Sequence, residues 1–458
     1  MAQKENYNSV LFVICSAAFL VPFMGSAINL ALPQISQELS LKAVSLSWIA
    51  TSYLISTAIF QVPFARLADL VGRKKIFIAG IGLFSISTFL CGLAKTEAPL
   101  IIFRFLSGLG SAMMFGTNIA ILTSVFPQNM RGKVLGINTS VVYFALASGP
   151  FLGGLITHYL GWHSLFFVCA ILSFAVAICA CLFLKGEWIE AKGEKFDYLG
   201  AIIYAIGLFG LIFGFSKLPH TMSCIWLAIG VIAFVVFILY EKRCKYPIFN
   251  VNIFLGNKIF SLSTFSALIN YAATSAVAFM MSLYLQYIRG FDAQHAGFIL
   301  IVQACIQSVV SLYAGRLSDK VSPAILATTG MGIIVLGLGG LITLSESTPL
   351  SFIIFLLILL GLGFGLFSSP NTNVIMSSVD KKYYGQASAT TGTMRLTGQA
   401  FSMGIAMMAI SLYVGNRVIV PELHTEFMKS LHITFGICAV LCIIGTYASS
   451  FRLKRTIN

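Results

Sequence analysis

Ala65-Arg66-Leu67-Ala68-Asp69-Leu70-Val71-Gly72-Arg73-Lys74 separates two apolar runs, 45–65 and 76–94. A carboxylate followed by glycine and a basic cluster is costly in hydrocarbon, so the chain must surface here between two membrane-length helices. At the end of a later run, Gly315-Arg316-Leu317-Ser318-Asp319-Lys320 repeats the pattern weakly, 250 residues on from aspartate to aspartate. Two related sets of helices are implied.

Fourteen apolar segments flank these loops: 10–32, 45–65, 76–94, 98–126, 134–157, 164–184, 198–216, 222–240, 259–288, 296–314, 323–344, 349–376, 387–413 and 431–451. The composition agrees. Of 458 residues, 58% are hydrophobic and 10% are charged, against about 25% charged in a soluble domain. An ordinary soluble enzyme is excluded, and 39 phenylalanines exclude disorder. An all-α polytopic membrane protein is expected. Its units are 1–184 with six helices, 185–250 with two inserted helices and their flanking loops, and 251–458 with six more. Nothing before the first apolar run reads as a cleavable signal, and that run is long enough to remain as a span.

The net charge of +14 is explained by topology. With the N-terminus placed in the cytoplasm, twenty-one Lys and Arg fall in inner loops and tails and six in outer loops. Such an excess is the positive-inside signature, and it requires both termini inside. A nucleic-acid partner is unnecessary. The ten cysteines have no metal-ligand spacing and read as free thiols in apolar surroundings.

The motifs resemble one family. Residues 65–74 are similar to the loop signature of the major facilitator superfamily, with Ala65 where Gly is commoner. Gly149-Pro150-Phe151-Leu152-Gly153-Gly154 resembles its fifth-helix antiporter signature. Arg104 followed by Gly108 resembles the fourth-helix basic signature, with Ser107 where Gln is usual. Ser26-Ala27-Ile28-Asn29-Leu30-Ala31-Leu32-Pro33, Phe196-Asp197-Tyr198-Leu199-Gly200 and Leu283-Tyr284-Leu285-Gln286 resemble the fourteen-helix drug–proton antiporters. The resemblance covers nearly the whole chain. It implies a major facilitator fold, proton-driven export, a multi-pass protein of the cell membrane and a monomer. It also implies that Asp69, Arg73 and Arg131 form a gate latch, with Asp319 at the matching position of the second half. By the same resemblance, the 149–154 segment limits leak.

Physical chemistry gives those motifs their own reading. Exposed ion pairs contribute about 0–1 kcal/mol each, so a latch biases a conformational equilibrium without locking it. Gly149, Gly153 and Gly154 admit another backbone, and Pro150 removes one helical hydrogen bond.

Only Arg104 and Arg395 fall inside apolar segments, where an arginine costs about 2.5–3.5 kcal/mol on insertion scales. Each lies on a polar stripe: Arg104, Ser107, Gly108, Ser111 and Asn118; and Ser388, Thr391, Arg395, Gln399 and Ser402. Spacings of three and four put such residues on one helix face. Each arginine is either a cargo contact or a strut bonded to backbone carbonyls. Asn29, Gln61, Asn270, Thr274, Gln303, Gln307, Asn371 and Asn373 complete the polar set, and for any one of them a helix–helix hydrogen bond competes with cargo contact. Met24, Met113, Met114, Met280, Met281 and Met394 offer a soft wall, or ordinary packing.

Most informative is an absence from the sequence. All fifteen acidic residues lie in loops or near segment ends, and Met24 stands where the related antiporters usually carry a first-helix Asp. Arginine does not titrate in the working range. The expected cargo is therefore anionic, zwitterionic or neutral rather than dicationic. Proton coupling must use a rim carboxylate such as Asp69, or a proton carried by the cargo. The sequence calls for no cofactor or metal. The expected protein is a secondary exporter of amphiphilic small molecules in the bilayer. The alternatives are a dedicated carrier of one organic anion or sugar and, from another class, a membrane enzyme or sensor, for which no nucleophile–base pair or output domain is visible.

Overall fold

A computed structural model describes residues 7–216, 221–249, 251–318, 320–379, 384–415 and 417–450. Within its helices, the side chains at 128, 129, 131–133, 216, 221, 252, 253, 255, 384–386, 388 and 389 lie outside that description. The helices are α1 (Tyr7–Leu39), α2 (Ala43–Val71), α3 (Arg73–Gly92), α4 (Glu97–Val125), α5 (Gln128–Leu160), α6 (Trp162–Phe183), α7 (Tyr198–Ser216), α8 (Thr221–Glu241), α9 (Val251–Gly256), α10 (Lys258–Leu283), α11 (Ala293–Leu317), α12 (Pro323–Leu341), α13 (Leu350–Ser377), α14 (Tyr384–Tyr413) and α15 (His424–Ser450). A π-helical turn, Tyr284–Ile288, extends α10. Fourteen of these helices are long and apolar enough to cross a membrane, and only α9 is not.

Several helices outrun their apolar segments. The first spans 7–39 rather than 10–32, and the last starts at His424 rather than at 431. Apolarity marks the contact with lipid, whereas backbone hydrogen bonding continues into the polar flanks. Helix ends are set by local chemistry. Gly72 adopts φ +127°, which breaks α2 from α3. Asn257 accepts from the Phe260 N–H at 3.0 Å and caps α10, and Asp292 accepts from the His295 N–H at 2.8 Å and caps α11.

The helices α1–α6 pack among themselves, chiefly as α2 with α4, α3 with α4 and α1 with α5. The helices α10–α15 do the same, chiefly as α12 with α13, α11 with α13 and α10 with α14. Between the two groups, α5 packs on α11 and α2 on α14. The chain enters α1 on what we call the near face and turns from α1 to α2 on the far face.

The pair α7 and α8 is a hairpin set beside the α2–α14 seam. Gly210 and Gly230 let the two backbones meet; a Cβ on Gly210 would lie 3.0 Å from Gly230 Cα. Tyr204, Leu208 and Ile212 of α7 form one apolar cluster with Ile55, Ala58 and Ile59 of α2 and with Leu396 and Ala400 of α14. The outer helix α8 buries 17% of its apolar window, against 78% for α2 and α10, so its remaining surface suits lipid.

Candidate functional site

The far face is closed by backbone contact between the two groups. On α5, Cβ atoms on Gly149 and Gly153 would each come within 2.6 Å of α1, at Ser26 and Ala27. The opposite side of α5 meets α11, where Gly154 abuts the Ala293 carbonyl and Gly297 abuts the Pro150 carbonyl. The Ser282 hydroxyl donates to the Asn29 carbonyl at 2.7 Å, and the Gln286 amide donates to the Leu30 carbonyl at 3.4 Å. The Ala43 N–H donates to the Arg417 carbonyl at 2.9 Å. His158 of α5 faces Asp292 at 3.7 Å, and the His295 ring approaches the same carboxyl at 2.8 Å. Partial burial pushes the Asp292 carboxyl up, but the His295 N–H and ring, with the charges of His295 and His158, outweigh it and hold the carboxyl below its ordinary value.

At mid-depth, Arg395 of α14 is half-buried and lies 5.7 Å from the centre of the Phe115 ring on α4. Its neighbours on α14 fix its direction. Leu396 and Ala400 face α2 and α7, and Gly398 packs on Leu268 and Tyr271 of α10. Arg395 and Gln399, four residues apart, therefore share the face between those two contacts. Tyr271 and Tyr143 of α5 stand within hydrogen-bonding reach of each other, and Arg395 lies in electrostatic range of Tyr271. Four helices, α4, α5, α10 and α14, thus bring one guanidinium and three aromatic rings together. Among the described residues, no hydrogen bond or ion pair holds Arg395. Gln303 and Gln307 of α11 are half-buried, opposite the exposed Cys305 and Val309, and face the bundle interior.

Arg104 is placed quite differently. It is 1% exposed, donates through Nε to the Ile49 carbonyl at 3.1 Å and lies 4.4 Å over the Tyr53 ring. The Tyr53 hydroxyl in turn bonds Ser111 at 2.8 Å and donates to the Val21 carbonyl at 3.2 Å. This guanidinium is a strut inside the first group and does not join Arg395.

The remaining polar side chains divide likewise. Asn118 donates to the Ile14 carbonyl at 3.4 Å, and Asn371 donates to the Ser263 carbonyl at 3.1 Å; both are helix-to-helix bonds. Asn29 contributes its backbone carbonyl. Asn270 is fully buried, with neither amide atom hydrogen-bonded. Of the six methionines named from the sequence, Met24, Met113, Met114, Met280 and Met281 are buried packing residues, and Met394 is half-buried.

On the near face, Arg73 is 6% exposed and held from several sides. Its Nε donates to Asp69 at 2.8 Å, and its Nη1 donates to Glu190 at 2.7 Å, to the Ser124 hydroxyl at 2.6 Å and to the Ala120 carbonyl at 3.2 Å. Glu190 comes from the α6–α7 linker, which lies across the α2–α3 turn. The Arg73 N–H donates to the Trp188 carbonyl and the Ala191 N–H to the Asp69 carbonyl, both at 3.0 Å. Glu194 pairs with Arg66. Arg131 lies on α5, but its side chain is outside the described set, as is Asp319.

Sequence reading missed Phe115, Tyr143, Tyr271 and Glu190. Aromatic residues are spread through all but one of the fourteen segments, so three that meet carry no local signature. Glu190 sits in a linker without periodicity.

The sequence model described as Major Facilitator Superfamily matches residues 14–403, with a second match over 263–456. The chain is 26% identical over 455 residues to the riboflavin transporter RibZ of Clostridioides difficile, covering 98% of each protein. It is 29% identical over 420 residues to the cephamycin export protein CmcT of Amycolatopsis lactamdurans, covering 89% of this chain and 85% of that one. Among solved structures, a bacterial homologue of the human lysosomal transporter Spinster superposes with a TM-score of 0.71 at 16% identity, covering 99% of both chains.

Proposed function

Because this chain belongs to the Major Facilitator Superfamily of membrane transporters, we propose that it is a proton-driven exporter of amphiphilic small molecules, with anionic, zwitterionic or neutral cargo. The observation that carries the cargo class is Arg395, a half-buried guanidinium without an ionic partner among the described residues, set against Phe115 between the two helix groups. Such a charge attracts an anion and repels a dication. Gln399, Gln303 and Gln307 supply neutral donors and acceptors on the same interior. Arg104 holds the first group in shape, and Asn118 and Asn371 act chiefly as interhelical bonds. Asn29 and Asn270 stay as candidate contacts for a state in which the far face opens.

In this reading residues 1–184 and 251–458 rock about the cargo, and 185–250 carries the inserted hairpin. The near face is cytoplasmic, by the excess of basic residues there, in a monomer of the cell membrane. Asp69, Arg73 and Arg131, with Asp319 in the second half, bias the cytoplasmic gate. Pro150 and Gly154 seal the far face against α11 in the state described, while Gly149 and Gly153 hold α5 against α1. Export is supported by relatives such as the cephamycin export protein.

A second reading, a carrier dedicated to one metabolite, is favoured by the riboflavin transporter, whose full length this chain matches. Breadth of substrate separates the two. Purified protein is screened by thermal shift against acidic, neutral and dicationic amphiphiles, and hits are tested for proton-driven transport in proteoliposomes. Arg395→Ala is expected to weaken acidic hits about 10- to 100-fold, the worth of one charge-assisted hydrogen bond, and to leave neutral hits in place. Strong dication export, indifferent to Arg395→Ala, would exclude the proposed cargo class.

A further inference from the structure

The two most deeply buried carboxyl groups among the described residues lie outside the cargo path, at the near-face foot of the inserted hairpin. Asp197 precedes α7 and is 8% exposed; Glu241 ends α8 and is 3% exposed. They converge on Gly200: a Cβ there would lie 2.8 Å from Glu241 Oε1 and would collide with Asp197 Oδ2. Glycine leaves the space that both side chains fill.

The donors around this pair are neutral. Asp197 Oδ1 accepts from the Gly200 N–H at 2.9 Å and from the Tyr240 hydroxyl at 3.0 Å, and Oδ2 accepts from the Cys244 thiol at 3.5 Å. Burial pushes the Cys244 thiol up from its ordinary value, which keeps it a neutral donor. Glu241 Oε1 accepts from the Ile248 N–H at 3.3 Å, while Oε2 is buried without a hydrogen-bond partner. The facing cation is Arg66 of α2, and Glu194 of the α6–α7 linker already pairs with it. No salt bridge reaches Asp197 or Glu241 among the described residues.

Two adjacent carboxylates without a counter-ion do not both stay ionised in a dry site. We propose that Asp197 and Glu241 form one proton-binding site, a single proton on Glu241 Oε2 leaving the pair with one negative charge instead of two. The position gives that proton leverage. Tyr204, two turns along α7 from Asp197, donates to the Ala58 carbonyl of α2 at 3.2 Å and reaches Thr397 of α14. One helix therefore carries the proton site at its foot and bridges the seam between the two helix groups in its middle. Ionising both carboxyls drives their helix ends apart and shifts α7 against that seam. The link to transport rests on the antiport reading above; the proton site itself does not.

The test uses the full chain in lipid. Infrared difference spectra are recorded between about pH 5 and about pH 8, the range in which coupled carboxyls and histidines titrate. A protonated-carboxyl band should titrate in the wild type, disappear in Glu241→Gln and move to lower pH in Asp197→Asn, because Glu241 stays buried there but loses its like-charged neighbour. Should Glu241→Gln fail to fold, Asp197→Asn, which retains an oxygen to cap α7, still tests the pair through that shift of the band. A wild type without the band, or a band unchanged in either folded variant, overturns the proton site. Transport in proteoliposomes is then compared across the same pH range. An altered pH dependence in the variants supports the link to the seam, and coincident wild-type and variant profiles overturn it. Complete absence of transport by the wild type, with the band present, counts against the antiport reading and leaves the proton site standing.

Discussion

A Cβ on Gly297 would stand 2.5 Å from the carbonyl oxygen of Pro150, so α5 and α11 touch backbone to backbone across the two helix groups. Gly297→Val must therefore pry the far face open. Overpacking of this kind costs about 1–3 kcal/mol, and about 1.4 kcal/mol is a tenfold shift in population. The expected outcome is increased labelling of a far-face cysteine probe and transport slowed about tenfold or more. Gly332→Val on α12 is the control, since nothing lies within 4 Å of a Cβ there. Equal transport by the two variants would mean that this contact does not limit the cycle.

The two membrane-depth arginines predict opposite phenotypes. Arg104 is wedged between the Ile49 carbonyl and the Tyr53 ring. Arg104→Ala should cost about 1.5–3 kcal/mol of stability, the range for a hydrogen bond to a charged group. Lysine should not restore it, because an ammonium lacks the planar guanidinium that stacks on the ring. Thermal melting of the purified variants checks this. Melting like wild type, with selective loss of acidic cargo, would make Arg104 a cargo contact instead.

That difference marks how far sequence reading reaches. The fourteen spans were legible because hydrocarbon demands about 20 apolar residues for each crossing, a demand every segment meets. Arg104 and Arg395 looked alike, each on a polar stripe of period 3.6. Their fates depend on what the neighbouring helices present: Tyr53 closes over one, whereas Tyr271 and Phe115 only flank the other. No local period encodes which neighbour arrives. The convergence of Asp197 and Glu241 was hidden for the same reason, since each lies at a helix end, where a solvated carboxylate is ordinary.

On the near face, Arg73 joins two carboxylates of unequal standing. The Glu190 side chain is 64% exposed and the Asp69 side chain 31%, while the arginine side chain is 7% exposed. Glu190→Gln should remove a screened pair of about 0–1 kcal/mol and change transport little. Asp69→Asn takes the better-shielded charge from an arginine that stays buried, and should slow transport more. A double-mutant cycle over Arg73 and Glu190 gives their coupling directly. A Glu190 effect as large as that of Asp69 would mean that the linker, not the α2–α3 turn, sets the gate.

The far-face pairing of His158 with Asp292 carries a pH prediction with a definite sign. His158 belongs to α5 and Asp292 caps α11, so their contact spans the two groups. The Asp292 carboxyl is held below its ordinary value. A depressed carboxyl contributes stability that is fully present above its unfolded value, about 3.9, and that is lost as pH falls through the lowered folded value. The Asp292 contribution to far-face closure should therefore be insensitive to Asp292 protonation at neutral pH and be lost as pH falls below about 4. Distance measurements between spin labels on the far-face ends of α5 and α11 follow this opening. In Asp292→Asn the acid-dependent step should disappear, because no carboxyl remains to protonate and the amide oxygen keeps the α11 cap. An unchanged acid-dependent step in that variant would assign the opening to another group.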